Sequence, residues 1–226
     1  MGINTFNEGH LHAALKEWYA EDGDRFEVEV DGYIIDLVRD TLLVEIQTGN
    51  FTAMKKKLAR LLPDHPVRLV YPIAFEKWIV KLDEDEKTRL SRRKSPKRGA
   101  VEHVFYELVR IPHLLHNPNF SLEILLIQEE EHRLYDGTRA WRRRGWVTHD
   151  RYLLDVLERK LFTTPAALAT LLPTSLPHPF TTADLASALE RRRPVAQKMA
   201  YCLRKLEVLT PVGKKGNAIL YERSNP

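Results

Sequence analysis

The stretch that decides the fold of this chain is IIDLVRDTLLVEIQTGN, residues 34–50. It contains two dense runs of aliphatic and β-branched residues, residues 33–38 and 41–47, and such runs are typical of neighbouring strands. Only Arg39 and Asp40 separate the two runs, which predicts a two-residue hairpin turn. We therefore expect an antiparallel β-hairpin within an α/β fold.

Elements on both sides of the hairpin predict a mixed sheet flanked by helices. Apolar residues at helical spacing indicate a helix over residues 7–19, with Asn7 as its N-cap. Apolar and acidic residues alternate over residues 26–31, as in a half-exposed strand. A second helix is predicted over residues 51–63 and a further apolar strand over residues 67–73. This order is typical of a small sheet with helices on its faces.

The middle of the chain gives weaker signals. Residues 89–98 are rich in basic residues and have no apolar period, so we expect a basic loop there. A helix is predicted over residues 101–111, a strand over residues 120–129 and a turn at Asp136-Gly137. The first domain is therefore expected to span residues 1–160.

Three helices and a hairpin are predicted in the remaining residues, 161–226. The first helix covers residues 165–172, the second is capped by Thr182, and the third has Pro194 at its first position. Two short strands then flank a basic tip at residues 213–217. This order indicates a small C-terminal winged helix-turn-helix domain, which binds DNA in many proteins. Protein docking is the alternative role for such a domain.

Composition and charge limit the class of protein. The chain has 226 residues, 43% hydrophobic and 29% charged, which is typical of a globular protein of two domains. The one cysteine, Cys202, excludes an internal disulfide framework. The absence of a leader-like N-terminus and of a long apolar run predicts a cytoplasmic protein that does not enter a membrane. A net charge of +4 favours a polyanionic partner.

Two carboxylates stand out in the aliphatic hairpin. With a turn at Arg39-Asp40, Asp36 faces Leu43, so Asp36 and Glu45 become diagonal neighbours about 7–8 Å apart at Cα on one face. Unpaired charges are costly among aliphatic residues, so a shared cation explains their presence. Oxygen ligands favour Mg²⁺ or Mn²⁺, and the carbonyl of Ile46 is a third candidate ligand. The alternative is that both carboxylates face water on an edge strand.

These residues resemble the motif of the PD-(D/E)xK nuclease superfamily, particularly its Holliday junction resolvase and restriction endonuclease branches. In that family a helix glutamate, a strand aspartate and a Glu-x-Lys strand hold Mg²⁺ and cleave phosphodiester bonds. Glu8, Asp36 and Glu45 match the three acids in order and spacing over residues 1–75. The resemblance implies a restriction endonuclease-like fold and a metal site formed by Asp36, Glu45 and Ile46.

One position departs from the family pattern. Gln47 stands where the family has its lysine, as in some restriction enzymes of the family. A lysine is also supplied from the following helix in this scheme, with Lys55 and Lys56 as candidates. The catalytic set implied by the resemblance is therefore Glu8, Asp36, Glu45, Gln47 and Lys55.

The sequence thus predicts a Mg²⁺- or Mn²⁺-dependent DNA endonuclease, and the resemblance suggests a homodimer. The runner-up is a catalytically inactive nuclease fold that binds DNA or regulates. Phosphate contacts are expected from the basic runs, and base contacts from the third C-terminal helix. The candidate DNA-binding residues are Lys56, Arg92, Arg93, Lys94, Arg193, Gln197, Lys198, Arg204, Lys214 and Lys215.

Overall fold

The computed structural model describes residues 9–224, which form a mixed sheet of seven strands flanked by helices, followed by helices and a separate hairpin. The helices are α1 (His10–Tyr19), α2 (Lys55–Leu61), α3 (Phe105–Leu108), α4 (Pro165–Ala169), α5 (Thr182–Ala188) and α6 (Arg193–Lys205). The sheet strands are β1 (Arg25–Val30), β2 (Tyr33–Arg39), β3 (Leu42–Ile46), β4 (Val67–Leu82), β5 (Arg89–Lys94), β6 (Phe120–Tyr135) and β7 (Trp146–Phe162). The separate hairpin consists of β8 (Leu209–Lys215) and β9 (Ala218–Arg223).

The sheet has the strand order β1-β2-β3-β4-β6-β7, and β5 pairs with β4. The pairs β3–β4 and β4–β6 are parallel, and the other pairs are antiparallel. β4 and β6 have 16 residues each and run side by side through most of their length. We call residues 76–94 and 129–153, which lie beyond the β4 bulge at Ala74/Glu76, the distal half of the sheet.

Helices cover both faces of the sheet. On one face, which we call the α1 face, Leu11 and Leu15 pack with Leu37, Val44 and neighbouring apolar residues of the central strands. On the other face, the α2 face, buried residues of α2 and α3 form a larger cluster with the sheet. That cluster also includes the buried residues of α4, α5 and α6. The sheet and the C-terminal helices therefore share one hydrophobic core.

The C-terminal elements lie where the sequence predicts three helices and a hairpin. The side chain of Thr164 caps α4, and Thr181, one residue before the predicted cap, forms a capping box with Asp184 at the start of α5. Pro194 is the second residue of α6. The apolar residues Val195, Met199, Cys202 and Leu203 of α6 are buried, and burial raises the pKa of the Cys202 thiol to about 12. The hairpin turn is shorter than predicted, because β8 continues to Lys215.

The register of the β2–β3 hairpin differs from the prediction by two residues. Arg39 pairs with Leu42 and Val38 with Leu43, so the turn lies at Asp40-Thr41 rather than at Arg39-Asp40. Asp40 has a positive φ of 50°, a conformation that Asp adopts more readily than Arg. Because the shift is even, each side chain keeps its predicted face.

The distal half of the sheet corrects two further expectations. Residues 89–94 are strand β5 rather than part of a basic loop, because they pair with the extended end of β4. The strand predicted over residues 120–129 is present but continues to Tyr135, and it pairs with β7 (Trp146–Phe162), which the sequence did not reveal. Short helical turns at Val101–Val104 and Phe105–Leu108 occupy much of the helix predicted over residues 101–111. Asn7 and Glu8 lie outside the described residues.

Within residues 9–224, none of the helices is long and apolar enough to cross a membrane.

Candidate active site

The site is built where β2 and β3 separate. Their pairing ends at Leu37 and Val44, and Asp36 and Glu45 are the next residues of the two strands beyond that pair. The predicted pairing of Asp36 with Leu43 is therefore wrong, because Leu43 pairs with Val38. At this point Oδ2 of Asp36 accepts a hydrogen bond of 2.7 Å from the backbone N–H of Ile46. The side chain of Asp36 thus takes the place of a backbone acceptor at the end of the ladder.

Glu45 carries a buried carboxylate, with 6% of its side chain exposed. Nζ of Lys57, from α2, lies 2.5 Å from Oε1 of Glu45 and also donates to the carbonyl of Ile34 at 2.5 Å. The close contact with Glu45 is an ion pair without hydrogen-bond alignment, and Oε1 accepts no hydrogen bond from the described residues. A buried carboxylate oxygen in this state has remaining capacity to bind a cation.

His12 approaches the same strand ends from the α1 face. Its Nε2 lies 2.8 Å from the carbonyl oxygen of Ile46 and 3.3 Å from Oδ2 of Asp36. Two of the three oxygens predicted to hold a metal thus converge on one ring nitrogen. Helix α1 positions this side chain because Leu11 and Leu15 on either side of His12 are anchored in the core of the α1 face.

The two carboxylates have pKa values shifted in opposite directions. Burial alone would raise the pKa of Asp36, but the hydrogen bond and charge of His12, with help from Ile46 N–H and Lys57, bring that pKa below its ordinary value. For Glu45, burial and then the negative charge of Asp36 raise the pKa to about 7, although Lys57 opposes this shift. One carboxylate is therefore ionised and the other is half-protonated near neutral pH, which is a frequent property of functional carboxylate pairs.

The chemical type of these donor atoms suits a divalent cation. The oxygens of Asp36, Glu45 and Ile46 are hard ligands of the kind that Mg²⁺ and Mn²⁺ prefer. The nitrogen groups of His12 and Lys57, 3.3 Å from Oδ2 of Asp36 and 2.5 Å from Oε1 of Glu45, show that these oxygens attract positive charge. Among the described residues, however, no group of three or more His, Cys, Asp and Glu side chains is arranged as a metal site. The predicted third acid, Glu8, lies outside those residues.

The lysine of the site is not the predicted one. Lys55 and Lys56 are exposed at the start of α2, whereas Lys57 points to the sheet and contacts Glu45. Gln47 follows β3; its backbone N–H donates to Val70, and its side-chain amide reaches the carbonyl of Asn50 at 3.4 Å. The site residues that the sequence missed are Lys57 and His12. Lys57 could have been chosen because it lies three residues after buried Met54 and four before buried Leu61.

The predicted DNA-binding residues in the middle of the chain lie on β5, where they face alternately. Arg92 and Lys94 point to the α1 face, and they pair with Glu130 at 2.6 Å and with Glu76 at 2.7 Å. Arg93 points to the α2 face and lines a cavity.

The predicted C-terminal residues are distributed over α6 and β8. Arg193, Gln197, Lys214 and Lys215 are exposed, and Arg204 is half-buried. Lys198 lies with its Nζ 5.7 Å from the ring centre of Tyr106 in α3, so one side of α6 borders the sheet domain.

A basic groove connects α6 with the distal half of the sheet. One cavity of about 560 Å³ lies over β4 and β6 on the α2 face, and a second of about 430 Å³ lies against the start of α6. Lys97, Arg98 and His103 line both cavities, and Arg191 and Arg192 line the second. We call this continuous surface the basic groove.

The loop at residues 95–99 is fastened to β4 at both ends. Ser95 N–H donates to Lys77 at 2.8 Å, and Gly99 N–H donates to the carbonyl of Ala74 at 2.9 Å. A Cβ atom on Gly99 would lie 2.4 Å from that carbonyl oxygen, so only glycine fits this close approach.

The fold and the site define an α/β protein with two neighbouring carboxylates, that of Glu45 buried and that of Asp36 partly buried, on adjacent strands of a mixed sheet. The chain belongs to the family described as Domain of unknown function (DUF8091), whose family model matches residues 9–163. It is also 36% identical to an uncharacterized protein of Treponema pallidum (strain Nichols), over 230 residues that cover 100% of this chain and 89% of that protein. No solved structure matches the chain significantly. The family match covers the whole seven-stranded sheet, and the Treponema protein aligns through the C-terminal helices as well.

Proposed function

We propose that this protein is a metal-dependent DNA endonuclease, with a restriction endonuclease-like sheet and a winged-helix DNA-binding segment. The observation that carries the proposal is the group formed by Asp36, Glu45 and Lys57, in which Nζ of Lys57 lies 2.5 Å from the buried carboxylate of Glu45 and Asp36 lies on the neighbouring strand. Two acids on neighbouring strands and a lysine beside them are the groups that the PD-(D/E)xK resemblance requires. Here the lysine comes from α2 instead of position 47.

The roles of the residues follow from their chemistry. Asp36, Glu45 and the carbonyl of Ile46 would hold Mg²⁺ or Mn²⁺, which supplies Lewis-acid chemistry for phosphodiester hydrolysis. His12 keeps Asp36 ionised and oriented. Lys57 provides a positive charge beside Glu45, suited to a negatively charged phosphate oxygen in the transition state.

Gln47 lies at the same strand end, with its side chain on the carbonyl of Asn50. We assign it to orienting the substrate rather than to stabilising charge, because its amide carries none.

The basic groove and α6 support DNA as the substrate. Phosphates would bind along the groove, and the exposed residues of α6 and β8 would contact the duplex. Gln197 is placed for base contact, because it lies on the exposed face of α6. Cutting both strands of a duplex would use a homodimer, and we expect the enzyme to act on DNA in the cytoplasm.

A second candidate is a DNA-binding or regulatory protein without nuclease activity. It is favoured by one observation: His12 and Lys57 already provide nitrogen partners to the carboxylates of Asp36 and Glu45. In that case the polar groups of the site would serve the stability of the sheet, and DNA binding would remain.

The test is cleavage of a panel of labelled DNAs: supercoiled plasmid, linear duplex, four-way junction, flap and single strand. Each is incubated with Mg²⁺, Mn²⁺ or EDTA, using wild type, Asp36→Asn and the control Asp40→Asn. Asp40 is an exposed aspartate on the same hairpin, so the control matches the change in charge and shape. We expect metal-dependent cutting that Asp36→Asn abolishes and Asp40→Asn preserves. Cutting that survives Asp36→Asn would refute the site, and DNA binding without cutting under every metal would establish the second candidate.

A further inference from the structure

A cleft rich in arginine lies at the far end of the sheet from the carboxylate pair. It has a volume of about 350 Å³ and is formed by β4, β5, β6 and the turn between β6 and β7. Its lining consists of six cationic side chains and one indole: Lys81, Arg93, Arg133, Arg142, Arg143, Arg144 and Trp146. We call it the arginine cleft.

The positive charge of the cleft is only partly balanced by the protein. Glu131 lies 2.6 Å from Arg133 and 3.8 Å from Arg143, and it also pairs with Lys77. Within residues 9–224, Arg93 and Arg144 have no carboxylate within 4.0 Å. Guanidinium groups held close together without anionic partners repel each other, and they bind phosphate well because their planar donors match its oxygens.

The arginine cleft lies on the same face of the sheet as Glu45. Lys81 pairs with Arg133, and Arg93 pairs with Ile79, so their side chains share one face by the alternation of the strands. Arg93, Arg133 and Arg143 also line the larger cavity of the basic groove, which reaches Ile73 in the core of the α2 face. The cleft therefore continues the groove.

The distance between the cleft and the carboxylate pair can be measured along β4. Glu45 pairs with Leu69 of this strand, and Arg93 pairs with Ile79 of the same strand. Ten residues of strand span about 30 Å. One turn of B-form duplex rises by about 34 Å.

We propose that the arginine cleft binds backbone phosphates of the DNA about one helical turn away from the cleavage centre. The inference rests on the proposed function for the identity of the polymer and for the position of the cut. Trp141 supports the binding of a DNA strand at the arginine cleft. Its side chain is 80% exposed beside Arg142, and an exposed indole can stack on a base or sugar.

The experiment measures binding of a fluorescent 24-base-pair duplex by anisotropy over a series of salt concentrations. EDTA is present throughout, so cleavage does not contribute. The variants are Arg93→Gln and Arg144→Gln, and the control is Arg25→Gln on the edge strand β1, where the arginine is likewise exposed. Thermal unfolding of each variant confirms that it is folded. Inorganic tripolyphosphate is added in a parallel series as a competitor.

We expect each cleft variant to bind the duplex about tenfold more weakly, since a charged hydrogen bond is lost. The slope of the logarithm of affinity against the logarithm of salt should fall by about 0.9 for each contact removed. Arg25→Gln should keep the affinity and slope of wild type. Wild-type affinity and slope in both cleft variants would overturn the proposal. Displacement of DNA by tripolyphosphate at equal phosphate concentration would also overturn it, because the cleft would then be a site for small polyphosphates.

The outcome separates this inference from the proposed function. If no metal supports cutting but the cleft variants bind weakly, the nuclease assignment fails and the cleft stands. If cutting depends on Asp36 but the cleft variants bind normally, the cleft assignment alone fails. Failure of wild type to bind any DNA would overturn both.

Discussion

Nζ of Lys57 in α2 lies 2.5 Å from Oε1 of Glu45, whereas Lys55 and Lys56, the other two lysines of the run, are exposed. A helix separates consecutive residues by about 100°, so only one of three successive lysines faces the strand. The position of Lys57 between buried Met54 and buried Leu61 decides which one it is.

Lys57→Gln should lower the rate of metal-dependent cleavage about 10²- to 10³-fold, because a positive charge beside the reacting phosphate is lost. The neighbours provide matched controls: Lys55→Gln and Lys56→Gln should keep the cleavage rate within a few-fold of wild type. Single-turnover cleavage of the preferred DNA measures all three. If Lys55→Gln lowered the cleavage rate as much as Lys57→Gln, Lys55 would be the catalytic lysine, as predicted from the sequence.

His12→Ala should weaken Mg²⁺ binding by about 10- to 100-fold, the usual effect of removing a group that orients a ligand. His12 holds Asp36 at 3.3 Å and lowers the pKa of that carboxyl, so its removal leaves the carboxylate less ordered and more basic. His113→Ala, at an exposed position, serves as the control. The dependence of cleavage rate on Mg²⁺ concentration gives the comparison. An unchanged Mg²⁺ requirement in His12→Ala would remove the histidine from the site.

Mg²⁺ binding should strengthen as the pH rises through about 7. Burial and Asp36 raise the pKa of Glu45 to about 7, so below that pH the metal must displace a proton from Glu45. Affinity should then change by about tenfold per pH unit on the acidic side and level off on the alkaline side. Titration calorimetry in two buffers of different ionisation enthalpy counts the released proton. Proton release that is the same at about pH 6 and about pH 8 would contradict this assignment.

Stability should fall in acid because of Glu131. Burial raises the pKa of this carboxyl, but the hydrogen bonds and charges of Lys77 and Arg133 outweigh burial and lower it to about 2. Its contribution is therefore fully present above the unfolded pKa near 4.5 and is lost as the pH falls through 2. Glu131→Gln should lose on the order of 2 kcal/mol at neutral pH and show a flatter acid profile. Glu158→Gln, at a more exposed ion pair, is the control in urea unfolding. Parallel acid profiles for wild type and Glu131→Gln would contradict this role.

A chain that ends at residue 163 should not fold stably. The buried residues of α6 belong to the same cluster as those of α3, so the truncation removes the apolar partners that α6 provides to this cluster. We expect binding of a hydrophobic dye and loss of the cooperative thermal transition that the full chain shows. Cooperative unfolding of the fragment would support the independent domains, 1–160 and 161–226, that the sequence predicts.

The hairpin shows what periodicity predicts well. The side-chain alternation of residues 33–47 identifies two strands and the face of each residue, and an error of two residues in register leaves the faces unchanged. The turn could not be placed because both Arg39-Asp40 and Asp40-Thr41 satisfy a two-residue loop. Cross-strand partners depend on that choice, so Leu43 pairs with Val38 and not with Asp36.

The distal half of the sheet shows what local pattern cannot predict. Glu129, Glu130 and Glu131 are consecutive acids, yet all three are buried in β6. They are stable there because Lys77, Arg92 and other cations reach them from neighbouring strands. These partners are distant in sequence. A local sequence pattern therefore shows only that the segment is charged, which is typical of a loop. The same reason hid β5 and β7.

The close approach of Gly99 to β4 has a consequence for the energetics of ligand capture. Because Ser95 and Gly99 are hydrogen-bonded to β4, the backbone of the loop that carries Lys97 and Arg98 loses conformational entropy when the chain folds. Under the proposed function, a polyanion that binds in the groove does not have to order the backbone of this loop. Its association resembles the docking of rigid bodies, in which little of the interaction energy is lost to immobilising the receptor.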